Sequence, residues 1–458
     1  MLSKNSFNSR KYFYYYLASL LSLLLIGWAK GFAHETNLPP LEPFVRLVIN
    51  GLYLNLAAAF YLLVSRSAES AGDRKNRFLF FAVASLFCFL WPVFSGDLME
   101  YLIRGRILGV YHQSPYRHVP AEFPGDLLYR YSTWKANPDS YGPIGVWLET
   151  IPALIFPHSA RGMIAVEKFI FLGFMAAAIF FFSKIVEVSG LSPKPRLAAL
   201  FGFSPLLIVS SLIDGHNDVV MLAFTVGAVY FLLKKRTTRL FLFLTLAFLV
   251  KYTVLLVAPI LAALALGEVW KEKKIFPALF ALREIFLNAA IIFIAFAPLW
   301  GGRDTFLALI RASDWFYTNT LPYAFSQLVG FFGLKADPHF VKYSFLGAFA
   351  ALYAVLFCRV LRSGTDDPQK LFRTLCLVYL FFYCTITIPF GFHYLLWALP
   401  WLVLSRWPMD IFLVTLYSFT GLFSYFKRMN YLILIACAVY AAALLWRRHG
   451  HRFSARVQ

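Results

Sequence analysis

Long apolar stretches alternate with short polar, mostly basic, connections along almost the whole chain. Fourteen apolar runs stand near 12–29, 44–65, 77–95, 163–187, 198–213, 216–233, 239–250, 252–268, 276–299, 342–361, 373–390, 394–405, 409–426 and 430–446. A single helical crossing of a bilayer needs roughly 20 apolar residues. Several runs are shorter and make sense only as tilted, paired or broken helices buried among others. Two further stretches, 143–157 and 321–334, contain proline and are short, so they are expected to be re-entrant or interfacial. The pattern predicts an all-α, polytopic integral membrane protein of about 12–14 transmembrane helices, with fourteen crossings as the working count.

The composition supports this pattern. Of 458 residues, 60% are hydrophobic and 14% charged, with a mean hydropathy of +0.65. An ordinary soluble domain is near half apolar and a quarter charged. Disorder, a coiled coil, a collagen-like fibre and a soluble enzyme are excluded. The net charge of +20 does not call for nucleic acid, because polytopic proteins concentrate Lys and Arg in cytoplasmic loops. The five cysteines (Cys88, Cys358, Cys376, Cys384, Cys437) lie in apolar runs without metal spacing. The run after Lys4, Arg10 and Lys11 is long for a signal peptide and reads as a retained first helix.

Basic clusters then assign sides. Lys4, Arg10 and Lys11, the 66–77 linker, Lys194 and Arg196, Lys234 to Arg239, Lys271 to Lys274, Arg359 to Arg373 and the tail from Arg447 all read as cytoplasmic. Both termini are expected inside the cell. The chain reads as one polytopic domain over 1–458. Three N-terminal spans (1–95) precede an extracytoplasmic loop (96–162). Core helices (163–299), a second outer loop (300–341) and C-terminal helices (342–458) follow. The unusual polar residues collect in or beside the outward connections, which suggests an active face on that side.

Five constellations carry the candidate chemistry. In the first loop Asp97, Glu100, Tyr101 and Arg104 share one face of a helix. This predicts an amphipathic helix at the membrane surface. Its dipole favours a carboxylate at the N-terminal end, so Asp97 is expected to have a lowered pKa. The other reading is a capping aspartate on a solvated face. Arg106, Tyr116 and Tyr141 continue the loop, suited either to sugar and phosphate or to a headgroup-level aromatic belt. Asp214-Gly215-His216-Asn217-Asp218 stands between apolar runs. A charge at membrane depth costs roughly 2.5–3.5 kcal/mol, so such a cluster favours function over an outer-interface turn. Lys251 interrupts an uncharged run. It needs an anionic partner such as Asp214, Asp218 or a lipid-linked phosphate, or it snorkels. Arg303 with Asp304, Arg311 with Asp314, and His393 in a Phe-His-Tyr-Leu-Leu-Trp run complete the set; an aromatic belt and a rim salt bridge explain these almost as well. No nucleotide loop and no HExxH motif are present. Carboxylates could hold a divalent cation, although no ligand spacing demands one.

Several of these segments together resemble a known group. Asp97 followed by Tyr101, Gly105-Arg106, Ser114-Pro115-Tyr116 and Tyr141-Gly142-Pro143 resembles the first-loop pattern of the GT-C superfamily. These are integral-membrane glycosyltransferases that use polyprenyl-phosphate sugars. Ser204-Pro205, Gly215-His216-Asn217-Asp218, Lys251-Tyr252-Thr253, Ser313-Asp314-Trp315 and His393-Tyr394-Leu395-Leu396-Trp397 resemble the bacterial polyprenol-phosphate-mannose-dependent mannosyltransferases. An expected second aspartate near Asp97 is absent, Glu100 being nearest, and two extra spans precede the motif loop.

The resemblance implies transfer of a hexose, with mannose the favoured sugar, from a polyprenyl phosphate to an outward acceptor on a glycan, lipid or protein of the cell envelope. It implies Asp97 as general base. Glu100, Tyr101, Arg104, Arg106, Tyr116, Tyr141, His216, Asn217, Asp218, Lys251, Arg303, Asp314 and His393 would bind substrate. From another class, a transporter or flippase of a lipid-linked or small anionic solute also suits a broken helix with a buried polar cluster. The lack of an internal repeat and the long outer loop favour the enzyme.

Overall fold

A computed structural model describes residues 4–36, 42–93, 95–273, 277–312, 320–386, 391–405 and 414–415. The described residues are all-helical, without a β-strand. Five helices are long and apolar enough to cross a membrane: Arg10–Ala29, Ala160–Val188, Lys194–Asp214, Ala278–Leu299 and Pro338–Ser363. Shorter apolar helices at Gly51–Arg66, Pro143–Ile155, Asp218–Leu233, Thr237–Val250 and Phe392–Leu404 fill the space between them. The chain is thus a multi-pass α-helical membrane protein and matches the expected GT-C-like bundle. The runs expected at 409–426 and 430–446, with the basic tail, fall outside the described residues apart from 414 and 415.

Burial separates the spans by role. The window of Lys194–Asp214 is 94% buried, whereas those of Ala278–Leu299 and Pro338–Ser363 are 11% buried. The first is the bundle axis, and the other two present apolar side chains outward. Such outward faces suit lipid, the only solvent in which they carry no hydrophobic cost.

Local chemistry explains the ends. Ser159 caps Ala160–Val188 by accepting from the Gly162 N–H, and Asp337 and Asp367 cap Pro338–Ser363 and Pro368–Thr385. Both aspartates precede a proline at the first helical position, where its missing N–H costs nothing. The axis helix is interrupted at Ser204-Pro205, as Pro205 cannot donate to the helical ladder. Phe203 at this break receives the N-terminal helices. The Tyr16 hydroxyl donates to its carbonyl at 2.5 Å, and the Phe80 ring stands 4.4 Å from its ring.

The helix expected in the first loop spans Asp97–Gly109. Its setting differs from the solvated surface helix that the spacing suggested: Leu98 through Ile107 are all buried. The reason is Pro143–Ile155, the stretch expected to be re-entrant. It is a 13-residue helix packed along the loop helix. At the crossing a Cβ on Gly105 would lie 1.8 Å from the Glu149 carbonyl oxygen, so only glycine permits this approach. The stretch at 321–334 forms Leu321–Phe331.

Candidate active site

Four segments distant in sequence meet at one end of the bundle. Asp97 opens the loop helix, and its N–H donates to Ser95 Oγ. The axis helix unwinds through a π-turn, Val209–Asp214, and ends on Gly215 at φ +77°, a left-handed conformation that glycine adopts without strain. That reversal turns His216, Asn217 and Asp218 inward before Asp218–Leu233 begins. Lys251 ends Thr237–Val250, and the 3-10 turn Phe392–Trp397 supplies His393, Tyr394 and Trp397. The N–H of Gly142 donates to the Val250 carbonyl and fixes Tyr141 beside Lys251.

The distances define one polar cluster. His216 Nδ1 stands 3.4 Å from Asp97 Oδ2. The His216 and His393 rings stack with centroids 3.8 Å apart, and His393 Nε2 is 4.0 Å from Asp218 Oδ2. The anionic partner of Lys251 is Asp218: Nζ donates to Oδ1 at 2.7 Å, and Trp397 Nε1 donates to the same oxygen at 2.5 Å. The ammonium also lies 5.2 to 5.4 Å from the ring centres of Tyr141, Tyr394 and Trp397. Such cation–π contacts strengthen when desolvated.

His216, Asn217 and Asp218 are buried, whereas the Asp97 side chain is 28% exposed. Asp97 is therefore the accessible edge of a closed cluster. Both ring nitrogens of His216, both amide atoms of Asn217, Asp218 Oδ2 and His393 Nδ1 make no hydrogen bond with the described residues. Unpaired buried polar atoms are costly, and their concentration here makes this cluster the candidate polar site.

The electrostatics of Asp97 run opposite to the helix-dipole expectation. Burial pushes its carboxyl up to about 6, and the neighbouring carboxylates of Glu100 and Asp218 add to this. The Ser95 hydrogen bond and the Lys251 charge oppose the shift without cancelling it. The dipole argument assumed a solvated helix end, whereas desolvation acts on the real one. A carboxylate held near neutrality is a stronger proton acceptor than a free one.

The other expected residues divide. Tyr101 and Tyr141 meet edge-to-face at 5.3 Å beside the cluster. Glu100 accepts from Ser132 Oγ at 2.9 Å, from Trp134 N at 2.9 Å and from the backbone and hydroxyl of Thr133. It faces Arg104 at 3.7 Å. Its carboxylate is thus used to tie residues 132–134 to the loop helix. Arg106 pairs with Asp126 at 2.7 Å and donates to the Pro157 carbonyl. The Tyr116 hydroxyl donates to the Tyr141 carbonyl at 2.8 Å. These groups order the loop. Arg303 is exposed on the turn Gly302–Phe306, and Asp314 lies outside the described residues.

Sequence reading passed over Lys168. It is fully buried in a span and donates to the carbonyls of Leu90 and Ile213 at 2.8 Å each. It thereby pins the π-turn to the segment leading into Asp97. The signal was available as Glu167-Lys168 inside an otherwise apolar run. Asp139 and Glu149, also buried, flank Arg104 and were equally unmarked.

Asp97, His216 and His393 each offer one ligand atom, all within 4.8 Å of one another, so the cluster is able to coordinate a metal ion. Comparison with curated proteins returns no match. The family model described as alpha-(1->6)-mannopyranosyltransferase, N-terminal domain, matches residues 26–267, more than half of the chain and every polar element of the site except the Phe392–Trp397 turn. The chain therefore belongs to this mannosyltransferase family and is a multi-pass membrane enzyme of the glycosyltransferase class.

Proposed function

We propose that the protein transfers mannose from a polyprenyl-phosphate donor to an acceptor hydroxyl at the extracytoplasmic face, with Asp97 as general base. The observation that carries this reading is Asp97 itself. It is the accessible carboxylate of a buried cluster, with its proton affinity raised by desolvation.

In the reaction the acceptor oxygen attacks the anomeric carbon and loses its proton to Asp97. The bond from that carbon to the phosphate oxygen breaks, and polyprenyl phosphate leaves as the anion. Phosphate needs charge stabilisation more than protonation, and Lys251 is the nearby ammonium. His216, Asn217 and Asp218 line the sugar pocket, with unpaired amide and imidazole atoms facing hydroxyls. A single displacement inverts the anomeric carbon. The α-linkage in the family description thus requires a β-linked donor, and its 1->6 position requires a primary hydroxyl on the acceptor.

The sidedness follows from charge. Asp218–Leu233 starts at the site and ends before Lys234, Lys235 and Arg236, while Thr237–Val250 runs from Arg236 and Arg239 to Lys251. Basic ends face the cytoplasm, so the site faces outward.

Transfer from radiolabelled polyprenyl-phosphate-mannose and from its glucose analogue to membrane extracts tests the donor. Mannose is expected to be incorporated and glucose not. Full turnover in Asp97→Asn removes the base. A thiol placed by Arg303→Cys is expected to react with an impermeant maleimide from outside intact cells and one placed by Asp366→Cys only after lysis; the reverse pattern overturns the sidedness.

A further inference from the structure

Between residues 95 and 142, Trp134 is the one exposed large apolar side chain, at 43%. Its backbone is nevertheless held in place. Its N–H donates to Glu100 Oε1 at 2.9 Å, its carbonyl accepts from Asn137 N at 2.9 Å, and Ala121 N donates to the Lys135 carbonyl at 2.9 Å. Arg130 and Lys135 lie over the rings of Tyr131 and Tyr129, at 4.6 and 4.2 Å. Glu100, which straps the segment down, stands one turn along the loop helix from Asp97. A Cβ on Gly96 would lie 4.0 Å from Thr133 Oγ1, and both residues are exposed. The segment therefore borders Asp97 on the open side of the cluster, whereas the Lys251–Asp218 pair lies on its buried side.

We infer that Trp134 is a platform for the acceptor: its indole stacks on a pyranose face and sets which hydroxyl meets Asp97. An aromatic face is electronegative and receives the polarised C–H groups of a sugar ring, a contact that needs area and orientation but no charge. Because the backbone is already fixed, little ordering entropy is lost when the sugar binds. The other use of an exposed tryptophan is at headgroup level, beside the end of an apolar helix. Trp147, 39% exposed on Pro143–Ile155, fits that description. Trp134 does not: it sits among Arg130, Thr133 and Lys135, on a segment strapped to the buried Glu100. Calling the sugar an acceptor rests on the function proposed above, whereas sugar binding at Trp134 does not.

The test uses full-length protein in a detergent without a sugar headgroup, titrated calorimetrically with methyl α-(1->6)-dimannoside, the linkage of the family description. Trp134→Ala is expected to weaken binding by about 10–30-fold, the loss typical of a tryptophan at the centre of a contact. Trp134→Leu, apolar but without a ring, is expected to lose as much. Trp134→Phe keeps an aromatic face and is expected to stay within about 3-fold of the wild type. Trp147→Ala is expected to bind like the wild type. Unchanged melting of the variants shows that the loss is not unfolding. Absence of binding by the wild type, equal binding by the alanine and leucine variants of Trp134, or the same loss in Trp147→Ala overturns the inference. If Trp134→Ala transfers mannose to the dimannoside with an unchanged acceptor KM while Asp97→Asn does not transfer, the platform falls and the proposed function stands. If binding depends on Trp134 but the wild type transfers no mannose, the proposed function falls and the sugar site stands.

Discussion

The two ends of the same helices use charge in opposite ways. At the basic end, Lys184 faces Glu187 at 2.8 Å and Lys370 faces Asp367 at 3.6 Å, with all four side chains at least 39% exposed. At the other end, Lys251 meets Asp218 at 2.7 Å with both nearly or fully buried. The partners are chemically alike, and the medium separates them. Exposed pairs gain little because water screens each ion about as well as its partner does. A buried pair has lost that screening, so removing either member strands a charge. In the proposed function, the basic end sets orientation and the buried end builds the reactive pocket.

The sharpest way to break this contrast is Asp97→Asn. Transfer is expected to fall by about 10²–10⁴-fold in kcat, with the melting temperature little changed. A deficit confined to KM, measured by initial rates, would falsify the base assignment. Next in size is Lys251→Met, which leaves Asp218 uncompensated. It should cost about 3–5 kcal/mol of stability, read by chemical or thermal unfolding. The surviving protein should show a donor KM raised more than the acceptor KM, each relative to wild type, and an unchanged donor KM counts against a phosphate role. Gly105→Ala forces a methyl against the Glu149 carbonyl. A loss of about 1–3 kcal/mol with reduced transfer is expected as the loop helix shifts, and wild-type melting would show the crossing to be looser than described. Lys370→Ala, at the basic end, is expected to change stability by less than about 1 kcal/mol. A loss comparable to that of Lys251→Met would erase the contrast.

Much of the site was legible because its residues violate their surroundings. Lys251 and the Asp214–Asp218 segment interrupt apolar runs, and such interruptions are costly enough to need a reason. Asp97 stood out through the spacing of its helix face, although that spacing misread the helix as exposed. The same periodicity arises whether polar residues meet water or meet buried partners. Glu100 and Arg106 show the consequence: their types suit sugar and phosphate, yet they are spent on residues 132–134 and on Asp126. Lys168 interrupts an apolar run in the same way and went unmarked; that the Leu90 and Ile213 carbonyls satisfy it is visible only in the structure.

Hydropathy alone determined that the chain crosses a bilayer repeatedly as helices, because a membrane core admits no other open backbone. The order of basic loops likewise carried the sidedness proposed for it, since that rule depends on composition beside each span. Only the tertiary structure decided which aspartate Lys251 pairs with, that His393 stacks on His216, and that Asp97 is desolvated. Those facts depend on side chains up to 296 positions apart being packed within a few ångströms. Contacts of that kind arise from how helices cross, and no local pattern of residues encodes them.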